Sequence, residues 1–188
     1  MSHSLPPSQN SERKTVLLGI GASVAAYKGI EVLRGLRREG LDVWVCPTPA
    51  SLDFVGHATW ESLSAHPIMV DTASGASEIS HITLAQRASA IVTVGASADL
   101  MARFAAGMGN DFLTLVTLAA TCPNLIAPAM HPSMWENAAT QANCQTLRDR
   151  GWQFIGPVEG EMADGSHGIG RLADPGDILA AVVSKLHS

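Results

Sequence analysis

Short apolar runs alternate with amphipathic helical patterns along almost the whole chain, and this alternation constrains the fold more than any other feature. Continuously apolar strands linked by helices are typical of a parallel sheet that is covered on both faces. Right-handed crossovers then favour a doubly wound, Rossmann-like α/β fold in a single domain. The predicted sheet has about six strands, at Thr15–Ile20, Asp42–Cys46, Ile68–Val70, Ala90–Gly95, Asn124–Ala127 and Trp152–Ile155.

The segments between these strands have helical patterns, and two regions stand apart from them. Helices are predicted at Ser23–Glu39, Ala50–Ser64, His81–Ala88, Ser97–Ala106, Asp111–Thr121, Thr140–Arg150 and Asp177–His187. Residues 1–13 are Ser/Pro-rich and polar, which predicts a disordered tail before a domain at 14–188. Residues 156–176 contain six glycines and two prolines, which predicts irregular structure with a flap at about 157–172.

Composition excludes several classes of protein. With 46% hydrophobic and 15% charged residues the chain is too apolar to be disordered, and its apolar runs are too short to span a membrane. A net charge of −5 without a long basic cluster argues against nucleic acid as a partner. Three widely spaced cysteines argue against a disulfide framework and a metal site, and with no apolar leader we expect a cytoplasmic protein. Because so few charged residues are available to cover the surface, we expect part of it to be buried between copies of the chain in a homo-oligomer.

Small and hydroxyl-bearing residues follow three of the predicted strands, where parallel sheets bind ligands. Ser23 follows the first strand in a run of small residues, and would suit a phosphate or would merely cap its helix. Thr48 and Ser51 follow the second strand and suit a ribityl chain, a phosphate or an ordinary turn. The small residues 95–98 follow the fourth, and would admit a flat ligand or only close helix packing. The GxGxxG pattern is absent, which argues against a dinucleotide and leaves a mononucleotide open.

Two further segments carry candidate side chains. His81 begins a predicted helix, where the dipole favours the neutral, basic imidazole, although a partly exposed surface histidine is the simpler interpretation. Residues 128–135 place Met130, His131 and Trp135 after a strand, as a site or as core filler. The glycine-rich segment 160–171 fits a flap over a ligand or a floppy connection.

Taken in order, these segments resemble the homo-oligomeric flavin-containing cysteine decarboxylases. The matching blocks are Ala22–Lys28, His81–Leu84, Gly95–Leu100, Pro128–Trp135 and Met162–Arg171. The resemblance implies FMN as cofactor, bound by Ala22, Ser23, Val24, Thr48, Ser51, Ser97, Ala98, Asp99 and Ala129. It implies His81 as catalytic base and a substrate site formed by Met130, His131, Met162 and Asp164. It also implies a homotrimer with active sites between subunits, which in this family assembles further into dodecamers.

The chain departs from the family pattern at four positions. Asp164 replaces the flap cysteine that helps to reduce the ene-thiol in coenzyme A synthesis, and His131 replaces the asparagine that holds the substrate carboxylate. Asp99 replaces an asparagine beside the flavin and Gly95 replaces a proline. Loss of the cysteine favours oxidative decarboxylation of a C-terminal peptide cysteine to an ene-thiol, as in aminovinyl-cysteine formation. The alternatives are phosphopantothenoylcysteine decarboxylase and a non-catalytic FMN-binding subunit.

Overall fold

The computed structural model describes residues 13–70, 80–162 and 165–188, which form a parallel sheet with helices on both faces. Five strands lie in the order β2-β1-β3-β4-β5. Their bounds are β1 Thr15–Ile20, β2 Asp42–Pro47, β3 Ala88–Ala96, β4 Asn124–Pro128 and β5 Gln153–Phe154. A separate antiparallel ribbon follows, made of β6 Val158–Glu161 and β7 His167–Arg171. The predicted doubly wound α/β fold is confirmed.

Eight α-helices are present in the described residues. They are α1 Gly29–Arg38, α2 His57–Ser64, α3 His81–Arg87, α4 Ala98–Ala106, α5 Phe112–Ala119, α6 Pro132–Trp135, α7 Ala138–Asp149 and α8 Pro175–His187. Single 3-10 turns at Val24–Lys28 and Pro49–Asp53 precede α1 and α2. The two long helices predicted after β1 and β2 therefore each begin with this tighter geometry. Gly56, with an extended backbone, separates the second turn from α2.

Alternate residues of β1 point into two different hydrophobic cores, as a sheet buried on both faces requires. Val16 and Leu18 belong to the core under α1, α2 and α8, whereas Leu17 belongs to the core under α3, α4, α5 and α7. All six β1 residues are buried. These cores hold the carboxyl ends of the parallel strands at one edge of the sheet. At that edge β1 lies beside β3, although β2 comes between them in the sequence.

Two predictions about strands are wrong. Residues 68–70 form no strand: Met69 donates one backbone hydrogen bond to Val45 (3.0 Å), and three residues are too few for a further ladder. The sheet therefore has five strands instead of six. The segment 156–176, predicted to be irregular, contains the β6–β7 ribbon. Its glycines let the backbone of the ribbon pack closely against other parts of the chain. A Cβ on Gly170 would lie 2.2 Å from the carbonyl oxygen of Met130.

Two further expectations fall partly or wholly outside the described residues. The predicted tail at 1–13 lies there except for Arg13, and Asp164 lies there too. In the part of the chain that the structure describes, no helix is long and apolar enough to cross a bilayer. The same residues contain no group of three or more His, Cys, Asp or Glu side chains arranged to hold a metal ion.

Candidate functional site

The site is built around the crevice where the strand order reverses between β1 and β3. In a sheet ordered 2-1-3-4-5, ligands bind outside the carboxyl ends of the strands at this point. Gly21 and Gly95 face each other there, and a Cβ on Gly21 would lie 2.2 Å from the carbonyl oxygen of Gly95. Gly95 has a φ of +70°, which glycine adopts readily. The two backbones therefore meet without intervening side chains.

Two buried hydroxyls at the edge of the crevice lack hydrogen-bond partners among the described residues. These are the Oγ of Ser23, after β1, and the Oγ1 of Thr48, after β2. The interpretation of Ser23 as a helix cap is wrong, because its side chain makes no capping bond to the turn at Val24–Lys28. Ser51 is used differently, since its hydroxyl donates to the carbonyl oxygen of Thr48 (2.7 Å). Unpaired buried hydroxyls cost free energy, so a polar group of a ligand is the natural partner for them.

A smaller cavity, of about 210 Å³, contains Thr48 and the start of α4. It is lined by Ala22, Thr48, Pro49, Ala50, Ser97, Asp99, Arg103, Asn110 and Asp111. Ser97 caps α4 by accepting from the N–H of Leu100 (3.2 Å). Ala98 is the first residue of that helix. Four of the residues predicted to bind the cofactor therefore meet in this cavity.

Arg103 links the carboxylates of this cavity and was not identified from the sequence. Its Nε donates to Asp99 (3.0 Å) and its Nη1 donates to Asp111 (2.6 Å). Asp99 is 76% exposed, whereas the side chain of Asp111 is only 5% exposed. The extra negative charge at Asp99 is therefore paired. The i, i+4 spacing of Asp99 and Arg103 was the available sequence signal.

A larger cavity, of about 670 Å³, lies between the 3-10 turn that follows β1 and the β6–β7 ribbon. It is lined by Ser23, Val24, Ala25, Tyr27, Lys28, Ala129, Met130, His131, Glu161, Met162, Gly170, Arg171 and Leu172. The structure thus brings together the predicted cofactor residues Ser23, Val24 and Ala129 with three predicted substrate residues. Lys28, Glu161 and Arg171 are charged members of the lining that sequence reasoning missed.

His131 is held between α6 and the ribbon. Its Nδ1 accepts from the backbone N–H of Ser133 (3.2 Å) and lies 2.7 Å from that residue's Oγ. Its Nε2 lies 3.2 Å from the Oγ of Ser166. Next to it, Met130 donates its N–H to Gly170 (3.0 Å). The ribbon is therefore fastened to the loop after β4 and forms one wall of the larger cavity.

His81 lies apart from both cavities. It is the first residue of α3 and is partly exposed, after Ser80, which accepts from the N–H of Thr83 (3.2 Å). It lines neither the larger nor the smaller cavity. The predicted base and the predicted carboxylate contact, His131, therefore do not line one common cavity in the described part of the chain.

These features fit FMN. A phosphate accepts hydrogen bonds from hydroxyl groups, which Ser23 and Thr48 offer, and the two cavities that these residues line leave room for the rest of the cofactor. The residues that would hold the cofactor are those of the two cavities at this edge.

Comparison with known proteins gives one consistent result. The chain is 41% identical over 168 residues to the coenzyme A biosynthesis bifunctional protein CoaBC of Mycolicibacterium smegmatis, covering 89% of this chain and 41% of the relative. It is 43% identical over 175 residues to the CoaBC protein of Vibrio cholerae, covering 92% of this chain and 44% of that relative. The chain thus spans less than half the length of these curated relatives.

Solved structures agree with the sequence matches. One is a cysteine-to-serine mutant of PPC decarboxylase complexed with pantothenoylaminoethenethiol (TM-score 0.84, 28% identity, covering 94% of this chain and 100% of that chain). Another is the FMN-binding protein AtHal3 (TM-score 0.79, 28% identity, 92% and 96% coverage). A family model described as Flavoprotein matches residues 4–187. The predicted resemblance and the prediction of a flavoprotein are confirmed: this chain belongs to the Flavoprotein family, among the flavin-containing cysteine decarboxylases.

Proposed function

We propose that this protein is an FMN-dependent decarboxylase of phosphopantothenoylcysteine. The observation that carries the proposal is the 41–43% identity, over about nine tenths of the chain, to proteins of coenzyme A biosynthesis. The structural neighbours named as cysteine decarboxylases bear out the predicted enzyme class, and those named for FMN bear out the cofactor. The small-molecule substrate, which was the alternative in the sequence analysis, is favoured over a peptide.

The residues of the site have separable tasks in this reaction. Ser23 and Thr48 donate hydroxyl hydrogens to the cofactor phosphate. His131 lies in the larger cavity beside Met130 and Met162, where its imidazole contacts the substrate carboxylate. His81 takes up a proton from the substrate's cysteine unit. When bound, FMN would accept two electrons from that unit, which makes loss of CO₂ feasible, and would return them to the ene-thiol, so that the overall reaction is redox-neutral.

The position of His81 supports an active site shared between copies. His81 lines neither cavity. The apolar side chain of Ile82 next to it is 45% exposed, and that of Leu118 on α5 is 59% exposed. Helix α3 packs against α5, so these apolar side chains belong to one two-helix unit. In a homotrimer, this unit of one subunit would cover the larger cavity of the next. Such trimers would be the building units of a dodecamer.

Subunit complementation tests this shared site. Two inactive variants, His81→Asn and Gly21→Val, are unfolded, mixed and refolded together. Mixed trimers contain some interfaces with both intact halves, so activity returns if the site is shared. No recovery in refolded mixed trimers, or a monomer in sedimentation, contradicts a shared site.

A second candidate function is oxidative decarboxylation of a C-terminal peptide cysteine. It is favoured by the sequence of the flap, which contains no cysteine between residues 157 and 172. In the family that the chain resembles, a flap thiol helps the reduced cofactor to convert the ene-thiol to a saturated thiol, and this segment has no such thiol. The non-catalytic subunit, the other alternative from the sequence, predicts FMN binding without turnover.

Mass spectrometry of the products separates these functions. FMN-loaded protein is incubated with phosphopantothenoylcysteine or with a peptide ending in cysteine, in air. Redox-neutral decarboxylation removes about 44 Da, as CO₂, whereas the oxidative reaction removes about 46 Da, as CO₂ and two hydrogens that the flavin passes to O₂. Turnover of the peptide alone would overturn our proposal, and no turnover of either compound would indicate the non-catalytic subunit.

The role of His81 is tested with a matched pair of variants. His81→Asn should bind FMN in full stoichiometry but lose turnover, because asparagine accepts no proton at neutral pH. The control is His57→Asn, since His57 is likewise the first residue of a helix and is exposed. We expect the control to retain full activity. Retained turnover in His81→Asn would remove the base assignment.

A further inference from the structure

We propose that Ser133 and Ser166 are positioning residues, which hold the imidazole of His131 as a neutral donor with its proton on Nε2. The inference rests on the proposed function, in which His131 contacts the substrate carboxylate, and it specifies the form of the ring that makes this contact. His131 lines the cavity of about 670 Å³ together with Met130 and Met162. Neither serine is among the residues that line this cavity, so both would act through the histidine.

The main chain of His131 is fixed by the short helix that follows it. The carbonyl oxygen of His131 accepts from the N–H of Met134 (2.9 Å) and from that of Trp135 (3.0 Å). With a φ of −59° and a ψ of 144°, His131 is the residue just before α6. The position of the imidazole is therefore set by the side chain, and the contacts of the ring decide which nitrogen carries the proton.

The contacts with Ser133 place a lone pair on Nδ1 of His131. The backbone N–H of Ser133 donates to this nitrogen (3.2 Å), which can accept only if it carries no proton. The Oγ of Ser133 lies 2.7 Å from the same nitrogen, and its hydroxyl therefore donates as well. A proton on Nδ1 would face the N–H of Ser133, donor against donor. The proton of the neutral ring is consequently on Nε2.

Ser166 reaches Nε2 because of the alternation of side chains along the ribbon. Ser166 directly precedes β7, and residues two apart in a strand share a face, so Ser166 faces the same way as Gly168. A Cβ on Gly168 would lie 2.8 Å from the Cγ of Pro132, the neighbour of His131. This face of the ribbon therefore packs against the loop after β4. It brings the Oγ of Ser166 to 3.2 Å from Nε2, which donates to it.

A neutral donor suits loss of CO₂ better than a cation does. The carboxylate is negatively charged in the bound substrate, and it loses that charge as CO₂ leaves. An ion pair with an imidazolium would stabilise the bound substrate more than the transition state, and would therefore slow the reaction. A hydrogen bond from a neutral N–H is weaker than a charge-assisted one, so it orients the carboxylate with less of this stabilisation.

The form of His131 is measured by heteronuclear NMR at pH 8, on FMN-loaded protein labelled at the histidine nitrogens. His131→Phe assigns the signals. We expect the two separate signals of a single tautomer, protonated at Nε2 and unprotonated at Nδ1. In Ser133→Ala the two signals should move toward each other, because the Nδ1–H tautomer becomes populated. A proton on Nδ1 in the wild type would overturn the proposal.

The matched control is Ser62→Ala. Ser62 is an exposed residue of α2 and lines neither cavity, so this variant removes a hydroxyl far from the proposed contact. Its histidine signals should equal those of the wild type. Ser133→Thr and Ser166→Thr keep the hydroxyl groups and should also retain the single tautomer. A change of the His131 signals in Ser62→Ala equal to that in Ser133→Ala would contradict a specific role for Ser133.

The effect on the carboxylate is measured by calorimetry with two unreactive ligands. Phosphopantothenoylalanine keeps the carboxylate of the proposed substrate and lacks its thiol, whereas phosphopantothenoyl-ethylamine lacks both groups. We expect the wild type to bind the first ligand more tightly. Ser133→Ala and Ser166→Ala should each reduce this preference about fivefold, since each removes one hydrogen bond that holds the ring. Affinity for the second ligand and the amount of bound FMN should not change.

Combination with His131→Phe distinguishes positioning from a general structural role. In that background Ser133→Ala and Ser166→Ala should have no further effect on binding, because they act only through the imidazole. Further losses there, or equal losses for the ligand without a carboxylate, would overturn the proposal. If the wild type binds neither ligand but shows the single Nε2–H tautomer, and Ser133→Ala disturbs it, the positioning stands and the proposed function fails.

Discussion

Gly95 lies directly against the side chain of Ser23, so that a Cβ on Gly95 would be 2.7 Å from the Ser23 Oγ. The φ of +70° at Gly95 turns the chain at the end of β3 toward β1. The family that the chain resembles has proline at this position. Proline is fixed near a φ of −65° and cannot adopt the positive φ of Gly95. A side chain at residue 95 would therefore displace the Ser23 hydroxyl.

Gly95→Ala should weaken both folding and cofactor binding. The left-handed backbone and the contact with Ser23 together should lower the free energy of unfolding by about 1–3 kcal/mol. The same clash displaces the Ser23 hydroxyl, so FMN affinity should fall. Urea denaturation and FMN fluorescence titration measure the two effects.

The control for Gly95→Ala is Gly40→Ala. Gly40 has a φ of +78° and no heavy atom within 4 Å of its would-be Cβ, so this variant isolates the backbone strain. It should cost about 1 kcal/mol and leave FMN affinity unchanged. Equal effects of the two variants on FMN binding would show that the contact with Ser23 is irrelevant.

Removing the unpaired hydroxyls should separate stability from binding. Ser23→Ala and Thr48→Val delete buried oxygens without partners among the described residues, so the cofactor-free protein should be as stable as the wild type or more stable. FMN affinity should fall by about tenfold for each lost hydrogen bond to the phosphate. Thermal unfolding of cofactor-free protein and FMN titration provide the measurements.

Thr93→Val is the matched control for the hydroxyl variants. The Oγ1 of Thr93 is also buried without a partner in the described structure, but it faces Leu113 and Gly19 inside the sheet instead of the crevice. This variant should stabilise the protein without changing FMN affinity. If all three variants changed FMN affinity equally, the hydroxyls would not be phosphate ligands.

Arg103 should contribute to stability mainly through Asp111. Arg103→Gln leaves the carboxylate of Asp111 nearly buried without its cation and should destabilise the protein by about 3 kcal/mol. Asp99→Asn should cost less than about 1 kcal/mol, because Asp99 is mostly exposed. Urea denaturation of both variants checks the difference. A larger loss for Asp99→Asn than for Arg103→Gln would contradict this account.

The cysteines should be unreactive in the native protein. Burial, with a smaller effect of the Asp111 carboxylate, raises the pKa of the Cys46 thiol, and burial also raises the pKa of Cys122 and Cys144. Only Cys122 is partly exposed. Titration of Cys122→Ser with a chromogenic disulfide at pH 8 should therefore give no fast-reacting thiol before unfolding.

The raised pKa of Cys46 also predicts how stability depends on pH. The folded state keeps this thiol protonated, whereas the unfolded thiol ionises at a pH of about 8.5. The contribution of Cys46 is therefore fully present below that pH and is lost as the pH rises above it. Cys46→Ala should lose less stability than the wild type between pH 8 and pH 10. An identical pH dependence for both would contradict the assignment.

Local patterns predicted most of the elements but misjudged two segments. The run at 68–70 is apolar, yet a strand needs a ladder, and this segment makes one backbone bond to Val45. The glycine-rich segment carries a ribbon because Gly168 and Gly170 pack against Pro132 and Met130, contacts that no local pattern reveals. Arg103 was missed because its buried partner, Asp111, is eight residues away.

The sequence by itself determined the alternation of strands and helices, the place of small and hydroxyl-bearing residues after strands, and through the order of its motifs the family. Those features are local, and hydrophobic periodicity and turn chemistry encode them. Only the tertiary structure decided that Ser23 and Thr48 find no hydrogen-bond partner among the described residues, that Lys28 and Arg171 line the same cavity, and that His81 does not line it. Sheet register and packing between distant segments set these relationships, because they depend on contacts that no short stretch of sequence contains.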